Sequence, residues 1–352
     1  MALGNSKTYL DALRRRLSDL DLSPLHGKTI LISGATGMVG SCLTDLLMIW
    51  NEEQMEPCRV VVTGRREASA RKRFGTYFEK PYFSFVEHDV SSAVHGFPER
   101  VDYMVHAASN ADPAKMAQFP VDTLLSNVCG TNNLIDYGRS HGMKRFLYVS
   151  SGEMYGQPNE NYDDFVEGYC GPVDHSQPRA CYPVGKRASE VLCQAYISQY
   201  GIEAVIVRPC HLFGPTMTAT DSRAVSEFLR SAVDGKDVVL KSAGTVERSQ
   251  CYVLDAAKAL LTVLLYGESG QAYNIADPNY QMRIREFAKR AAEAGGGSLR
   301  FEKPSDLEAS GYSKVGRAVL DASKLRALGW KPDDSVDAIR ETVEILRESR
   351  ED

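Results

Sequence analysis

The chain has 352 residues, 43% of them hydrophobic and 25% charged, a globular balance able to bury a large core. Its formal charge of −5 gives no reason to expect nucleic acid or an anionic membrane as partner. Eight cysteines without a close metal-ligand or redox pair, and no apolar run near the roughly 18 residues of a membrane span, lead to the expectation of a cytoplasmic protein with reduced thiols and no metal site.

Residues 1–27 carry Leu10, Leu13, Leu17 and Leu20 at helical spacing, which predicts an N-terminal helix docked on the body or on a second subunit. The opening MALGNSKTYLDALRRR lacks the uninterrupted apolar core of a secretion signal. Apolar runs at about 29–33, 59–63, 83–87, 102–106, 145–150 and 203–208 then alternate with helix-like segments, the pattern of an α/β Rossmann-like doubly wound parallel sheet over 28–209. The first run, KTILIS, leads into Gly34-Ala35-Thr36-Gly37-Met38-Val39-Gly40 and a helical stretch with Leu43, Leu46 and Leu47. Gly34 suits a tight turn, Gly37 lets backbone approach a pyrophosphate at a helix N-terminus, and Gly40 allows helix and strand to pack closely.

After Arg208 the pattern loosens into Gly214-Pro215, a polar stretch to Asp221 and a helical run from about 223 to 233. This predicts a smaller interleaved C-terminal substrate-binding lobe over 210–250 and 278–352, with 251–277 returning to the first lobe as helix and strand. A last helix after Pro332 shows Val336, Ile339, Val343 and Leu346 on one stripe.

The chemistry is concentrated in Ser150-Ser151-Gly152-Glu153-Met154-Tyr155-Gly156 and Cys181-Tyr182-Pro183-Val184-Gly185-Lys186. Tyr182 and Lys186, four apart at a helix start, project from one face, and Ser151 ends a strand-like run. A phenol loses its proton near about pH 10. A lysine cation beside it and a positive nicotinamide ring above it would both favour phenolate, giving a base for oxidising an alcohol.

With these stretches in view, the chain from about Lys28 onward resembles the extended short-chain dehydrogenase/reductase family, in its branch of nucleotide-sugar epimerases, dehydratases and decarboxylases. The resemblance rests on GATGMVG (34–40), HDV (88–90), HAAS (106–109), SNVCGTNNLI (126–135), VSSGEMYG (149–156), YPVGK (182–186), RPCHLFGP (208–215) and RSQCYVLD (248–255). The run from Gly171 to Arg187 looks most like UDP-glucuronate decarboxylases.

That resemblance implies a nucleotide-diphosphate sugar as substrate, oxidised at C4 to a transient ketone, with Tyr182 as base, Ser151 bonded to the reacting oxygen, and Lys186 on the phenolate and the nicotinamide ribose. It implies cofactor contacts along Gly34, Thr36, Gly37, Met38, Val39 and Gly40, at Asp89 and Val90 near the adenine, and at Ala107, Ala108, Ser109 and Pro209. It also sets Asn127 in the sheet that positions Tyr182, and it implies homodimerisation through 120–140 and 182–200. The second strand ends in Thr63-Gly64-Arg65-Arg66 with no acid, so NAD and NADP both stay open: Arg65 and Arg66 could clamp a 2′-phosphate, while related enzymes use NAD.

Glu153 stands where dehydratases and glucuronate decarboxylases of the family keep a glutamate, but Gly152 replaces the acid a dehydratase needs. Arg179, three residues before Tyr182, is a candidate for holding a substrate carboxylate. Arg248 is the first candidate for the diphosphate, with Arg223 and Arg317 behind it, and His211 replaces a family asparagine near the substrate. Known decarboxylases carry Thr-Ser-Glu where this chain has Ser151-Gly152-Glu153. The reading is therefore a nucleotide-sugar enzyme, decarboxylase-like or an epimerase; a 4,6-dehydratase and a net oxidoreductase on a smaller alcohol or ketone are the alternatives.

Overall fold

A computed structural model of the chain describes residues 3–159, 164–303 and 316–351. The N-terminal leucine periodicity forms α1 (Lys7–Leu17), opened by Ser6, whose hydroxyl accepts from the Tyr9 N–H and so satisfies a donor that the first turn leaves orphaned. Leu20 lies beyond its end. There follow β1 (Thr29–Ser33), α2 (Met38–Asn51), β2 (Arg59–Gly64), α3 (Glu67–Phe74), β3 (Phe83–Glu87), β4 (Tyr103–His106), α4 (Pro113–Gln118), α5 (Pro120–Ser140), β5 (Arg145–Val149), α6 (Cys181–Tyr200) and β6 (Ala204–Pro209). The remainder is β7 (His211–Phe213), α7 (Ala224–Val233), β8 (Val238–Leu240), β9 (Glu247–Tyr252), α8 (Val253–Tyr266), β10 (Ala272–Ile275), β11 (Asp277–Arg283), α9 (Ile284–Gly295), β12 (Leu299–Phe301), β13 (Arg317–Ala318), α10 (Ser323–Ala327) and α11 (Ala338–Glu351).

Seven parallel strands make one sheet in the order β10-β6-β5-β4-β1-β2-β3. Strands such as TILIS and RFLYV are apolar almost throughout because helices cover both faces. Alternate side chains enter two separate cores, as the two-residue period of a strand requires. Ile30, Ile32, Val60, Val62, Leu147 and Val149 join α1, α2 and α8 on one face. Leu31, Val61, Met104, Phe146 and Tyr148 join α5 and α6 on the other. The strand order reverses between β1 and β4, so a crevice opens at their carboxyl ends, where ligands of such sheets bind.

A second sheet runs β11-β9-β13 with β7 also on β9, and β12 pairs with β8. Phe213, Tyr252, Tyr280 and Phe287 interlock in tilted and edge-on ring contacts and join this part to α8. The N-terminal helix docks on the body of its own chain. Arg16, wholly buried, reaches Asp255 at 3.2 Å, Asp333 at 3.0 Å and Glu341 at 3.3 Å, and lies 5.1 Å from the centroid of the Tyr252 ring. Among the described residues no helix is long and apolar enough to cross a membrane.

Candidate active site

The turn from β1 to α2 is shaped by two glycines for different reasons. Gly34 has φ +71, and a Cβ there would lie 2.6 Å from Ala108 Cα, so the turn slides against the chain leaving β4 only because no side chain intervenes. A Cβ on Gly40 would lie 2.5 Å from the Gly34 carbonyl oxygen, which fixes how closely α2 approaches the turn. Gly37 is the N-cap of α2 and supplies no side-chain acceptor, so the first N–H groups of a 14-residue helix remain available to an anion.

This cradle forms one wall of a cavity of about 1550 Å³, larger than the roughly 300–1,000 Å³ typical of a single small ligand. Thr63 Oγ1, His88 Nε2, Ser109 Oγ and Ser150 Oγ are buried without hydrogen-bond partners, and all four residues line that cavity. Buried polar groups are normally satisfied, so this row of orphaned atoms marks the path of a polar ligand. The cradle and the row together fit an extended dinucleotide. Every residue read as a cofactor contact lines the cavity except Asn127. Asn127 lies on α5 and not in the sheet; it donates to Thr123 O at 2.7 Å and accepts from the Tyr148 hydroxyl at 3.3 Å. A Cβ on Gly185 would stand 3.3 Å from its own Cβ, so Asn127 sets the approach of α6 from behind.

At the far end of the cavity, β5 runs out into Ser151, whose hydroxyl accepts from the Glu153 N–H at 3.1 Å and caps a single 3₁₀ turn, Gly152–Tyr155. Tyr182 enters from the first turn of α6. Burial, and then the Glu153 carboxylate, push its phenol up to about 12, while the Ser151 hydroxyl and the Arg179 and Arg223 guanidinium groups pull the other way. Lys186 donates to Val149 O at 2.7 Å, and its Nζ lies 5.6 Å from the Tyr182 ring centroid. Burial pushes this amine down to about 7, with Glu190 opposing. The expected effect of a lysine cation holding the phenol anionic is thus outweighed in the protein alone, because burial disfavours both charged forms.

The charged groups at this end differ in their readiness to meet a ligand. Arg179 Nη2 donates to Glu153 Oε2 at 2.7 Å, and both side chains are about half exposed on the cavity wall. His211, at the start of β7, lines the cavity; the surrounding protein, then the Arg248 and Arg223 cations, push its imidazole down to about 4, so it is neutral at pH 7. Arg223 is held by Asp221 at 2.5 Å and by Leu212 O at 3.1 Å. Arg248 is buried beside the cavity and donates to Glu247 O at 3.0 Å. Arg317 is the exception: it pairs with Asp164 at 2.5 Å and Glu247 at 3.3 Å and does not line the cavity.

Two features went unread in the sequence. Leu320 stands over Gly152, where an added Cβ would meet its methyls at 3.1 and 3.3 Å. Asp112 caps α4 and also accepts from the backbone N–H and hydroxyl of Ser222, both at 2.9 Å, tying the two walls of the cleft together. An Asp before Pro113 signals a helix cap, but nothing local signals its second partner.

The family model of the NAD dependent epimerase/dehydratase family matches residues 30–276. UDP-glucuronic acid decarboxylase 1 of Xenopus tropicalis is 32% identical over 313 residues, covering 88% of this chain and 70% of that one. UDP-glucuronic acid decarboxylase 6 of Arabidopsis thaliana is 34% identical over 304 residues, 86% of this chain and 84% of that one. Among solved structures, a dTDP-glucose 4,6-dehydratase from Streptomyces venezuelae with NAD bound superposes with a TM-score of 0.75 at 24% identity, covering 92% of this chain and 98% of that one. That likeness shows the same fold.

Proposed function

The chain belongs to the NAD dependent epimerase/dehydratase family and is a nucleotide-sugar modifying enzyme, and from that premise we propose that it decarboxylates a nucleotide-linked hexuronic acid through a transient 4-keto sugar. The relatives named for UDP-glucuronic acid decarboxylation span most of the chain, which makes a UDP-linked uronic acid the first substrate to test.

The relatives' names set decarboxylation first, and the observation that carries the choice against a dehydratase is Gly152 beneath Leu320. A 4,6-dehydratase must protonate a departing hydroxyl, and here the place for such an acid holds no side chain and is crowded by the Leu320 methyls, 3.1 and 3.3 Å from where a Cβ would stand. Decarboxylation asks for less. A bound nicotinamide supplies a hydride acceptor and donor and a positive charge beside the phenol. Tyr182 takes the C4 hydroxyl proton, Ser151 holds the C4 oxygen, and Lys186, anchored on Val149 O, orients the ribose side of the site. The C4 ketone makes the substrate a β-keto acid. The C5–C6 bond then breaks, its electron pair passing through C5 to the C4 oxygen as enolate while carbon dioxide leaves. Protonation of C5 from solvent, return of hydride to C4 from the bound nicotinamide and return of the Tyr182 proton to the C4 oxygen would complete a cycle with no net oxidant. Arg179 has four guanidinium N–H donors beyond the one on Glu153 to steady the carboxylate before it departs.

Arg248 and Arg223 are assigned to the diphosphate, His211 to the sugar as a neutral hydrogen-bonding group, and the lobe of 210–250 and 278–352 to the substrate as a whole. We take the working form to be a homodimer through α5 and α6, which leave Val121, Leu125, Val191 and Tyr200 exposed. Eight unpaired cysteines accord with a reducing, cytoplasmic setting.

The test is to incubate the purified protein with UDP-glucuronate, UDP-glucose, UDP-N-acetylglucosamine and dTDP-glucose and weigh the products. A product of UDP-glucuronate lighter by one carbon dioxide is expected. Loss of water from a hexose, or an isobaric epimer alone, would reassign the reaction within the family. Tyr182→Phe should cut turnover by about 10²- to 10⁴-fold while keeping dinucleotide binding.

A further inference from the structure

Lys186 is 3% exposed, yet its amine must carry a proton to support the Tyr182 phenolate. An ammonium has three donors and no acceptor. Among the described residues its Nζ makes one hydrogen bond, to Val149 O at 2.7 Å. The carboxylate one turn further along α6, Glu190, is already engaged: Arg208 on β6 donates to its Oε1 at 3.0 Å and to its Oε2 at 2.7 Å. From β4 comes His106, whose imidazole is pushed down to about 3 by burial and then by the Lys186 charge, so it stays neutral. The groups around Lys186 therefore leave much of its charge without a counterpart.

What faces the ammonium is a ring. The Tyr148 ring centroid lies 5.0 Å from Lys186 Nζ, nearer than the 5.6 Å to the Tyr182 ring on the other side. The face of an aromatic ring is negative and attracts a cation within about 6 Å, more strongly where water is excluded. Tyr148 is wholly buried, so water is excluded here. Its hydroxyl donates to Asn127 Oδ1 at 3.3 Å and is hydrogen-bonded with Ser189, and the His106 ring packs against it with centroids 5.7 Å apart. Pinned from α5, α6 and β4, the ring keeps its face toward the amine. Tyr148 does not line the cavity, so it reaches a ligand only through Lys186. One strand and its exit thus supply a ring at Tyr148, a carbonyl at Val149 and a hydroxyl at Ser151.

We propose that Tyr148 is a positioning residue for the reaction: its ring face holds the Lys186 ammonium charged and in place beside Tyr182. The inference rests on the reading of Ser151, Tyr182 and Lys186 as the site of alcohol oxidation, and it supplies the group that offsets burial of the lysine. It also gives the Asn127 side chain a use, as a tether for the ring behind the lysine. The hydroxyl is the tether and the face is the working part, so the two can be separated chemically.

The test keeps the shape of the ring and changes its face. Full fluorination reverses the sign of charge on an aromatic face with little change in volume. Three proteins are compared: the parent, Tyr148→Phe, and the chain with pentafluorophenylalanine in place of Tyr148. All three fill the same core space. The Lys186 Cε resonance of nucleotide-free protein labelled with carbon-13 lysine is followed against pH, and is identified by its loss in Lys186→Met. Tyr148→Phe keeps the face, so its midpoint should lie within about twofold of the parent in proton affinity. The fluorinated ring should weaken proton binding by about tenfold, moving the midpoint roughly one pH unit lower. Single-turnover oxidation of the nucleotide sugar at pH 7, read by nicotinamide absorbance, should fall about fivefold from Tyr148→Phe to the fluorinated protein, since Lys186 titrates near 7, while dinucleotide affinity holds. Equal midpoints in those two proteins overturn the proposal, as does a Tyr148→Phe midpoint displaced as far as the fluorinated one, which would assign the effect to the hydroxyl. A shifted midpoint with no oxidation of any sugar leaves the hold on Lys186 standing and sinks the proposed reaction.

Discussion

Arg179 donates to Glu153 at 2.7 Å, and the two charges act on the Tyr182 phenol with opposite signs. After burial, the Glu153 carboxylate is the largest influence raising the phenol, and the Arg179 guanidinium is among those lowering it. The ion pair therefore moderates the proton affinity of the base one helix turn away. If Tyr182 must be anionic to accept the C4 proton, activity rises with pH through the phenol's titration. Glu153→Gln removes an influence that favours the neutral phenol, so that limb should move to lower pH. Arg179→Gln should move it to higher pH. Single-turnover oxidation at C4, followed by nicotinamide absorbance across pH, reads both. Movement in the same direction for the two variants would detach the pair from the base. Glu153→Gln should in addition leave oxidation at C4 measurable.

Lys186 gives a second pH dependence, in stability. Burial lowers its amine from 10.5 to about 7 in the folded protein. Between those values the unfolded chain holds a proton that the folded one lacks, so stability rises with pH across the window. Below about 7 both states are protonated and the cost of burying the charge is complete. Lys186→Met removes this linkage. The stability of the parent protein relative to that variant should therefore increase from pH 7 to pH 10, measured as urea midpoints at matched pH. A constant difference, or one of opposite slope, would mean that the amine is solvated in the native state.

Much of this was legible along the chain because it is governed locally. A strand covered on both faces must be apolar throughout, and RFLYV or AVIVRP can hardly be anything else. A glycine at Gly34 reports a positive φ, and Tyr182 with Lys186 report one face of a helix. What escaped depends on partners far away in sequence. Arg317, a lesser candidate for the diphosphate in sequence, spends its charge on Asp164 and Glu247. Asn127, expected in the sheet that positions Tyr182, lies on α5 and packs against Gly185. Gly152 was read as a missing acid, and Leu320, which occupies its space, carries no mark of that role.

The N-terminal helix is held by a charge cluster whose weakness is its burial. Arg16 has no solvent access and stands among Asp255, Asp333 and Glu341. Replacing it by methionine keeps the aliphatic stem but leaves buried carboxylates facing one another. Removing one partner of a buried ionic group costs about 3–5 kcal/mol. Arg16→Met should lower the denaturant midpoint accordingly, with cofactor affinity preserved in the fraction that remains folded. A change below about 1 kcal/mol would show that solvent reaches the cluster, as it does exposed pairs.

Gly152 and Leu320 together offer the most direct test of why this site is not a dehydratase. An aspartate at 152 would start from a Cβ already 3.1 Å from one Leu320 methyl and 3.4 Å from Pro209 O. Leu320 is itself buried with Phe165 and Tyr155, so it cannot simply swing away. Gly152→Asp alone should therefore cost about 1–3 kcal/mol of stability through overpacking and yield no water loss from a nucleotide hexose. Adding Leu320→Ala opens room for the carboxyl, and its largely apolar surroundings would favour the protonated form needed to donate to a leaving hydroxyl. The double variant should then recover stability relative to Gly152→Asp and release detectable dehydrated product from dTDP-glucose or UDP-glucose. If the unaltered protein already dehydrates either sugar, the acid comes from elsewhere, and the packed glycine does not decide the chemistry.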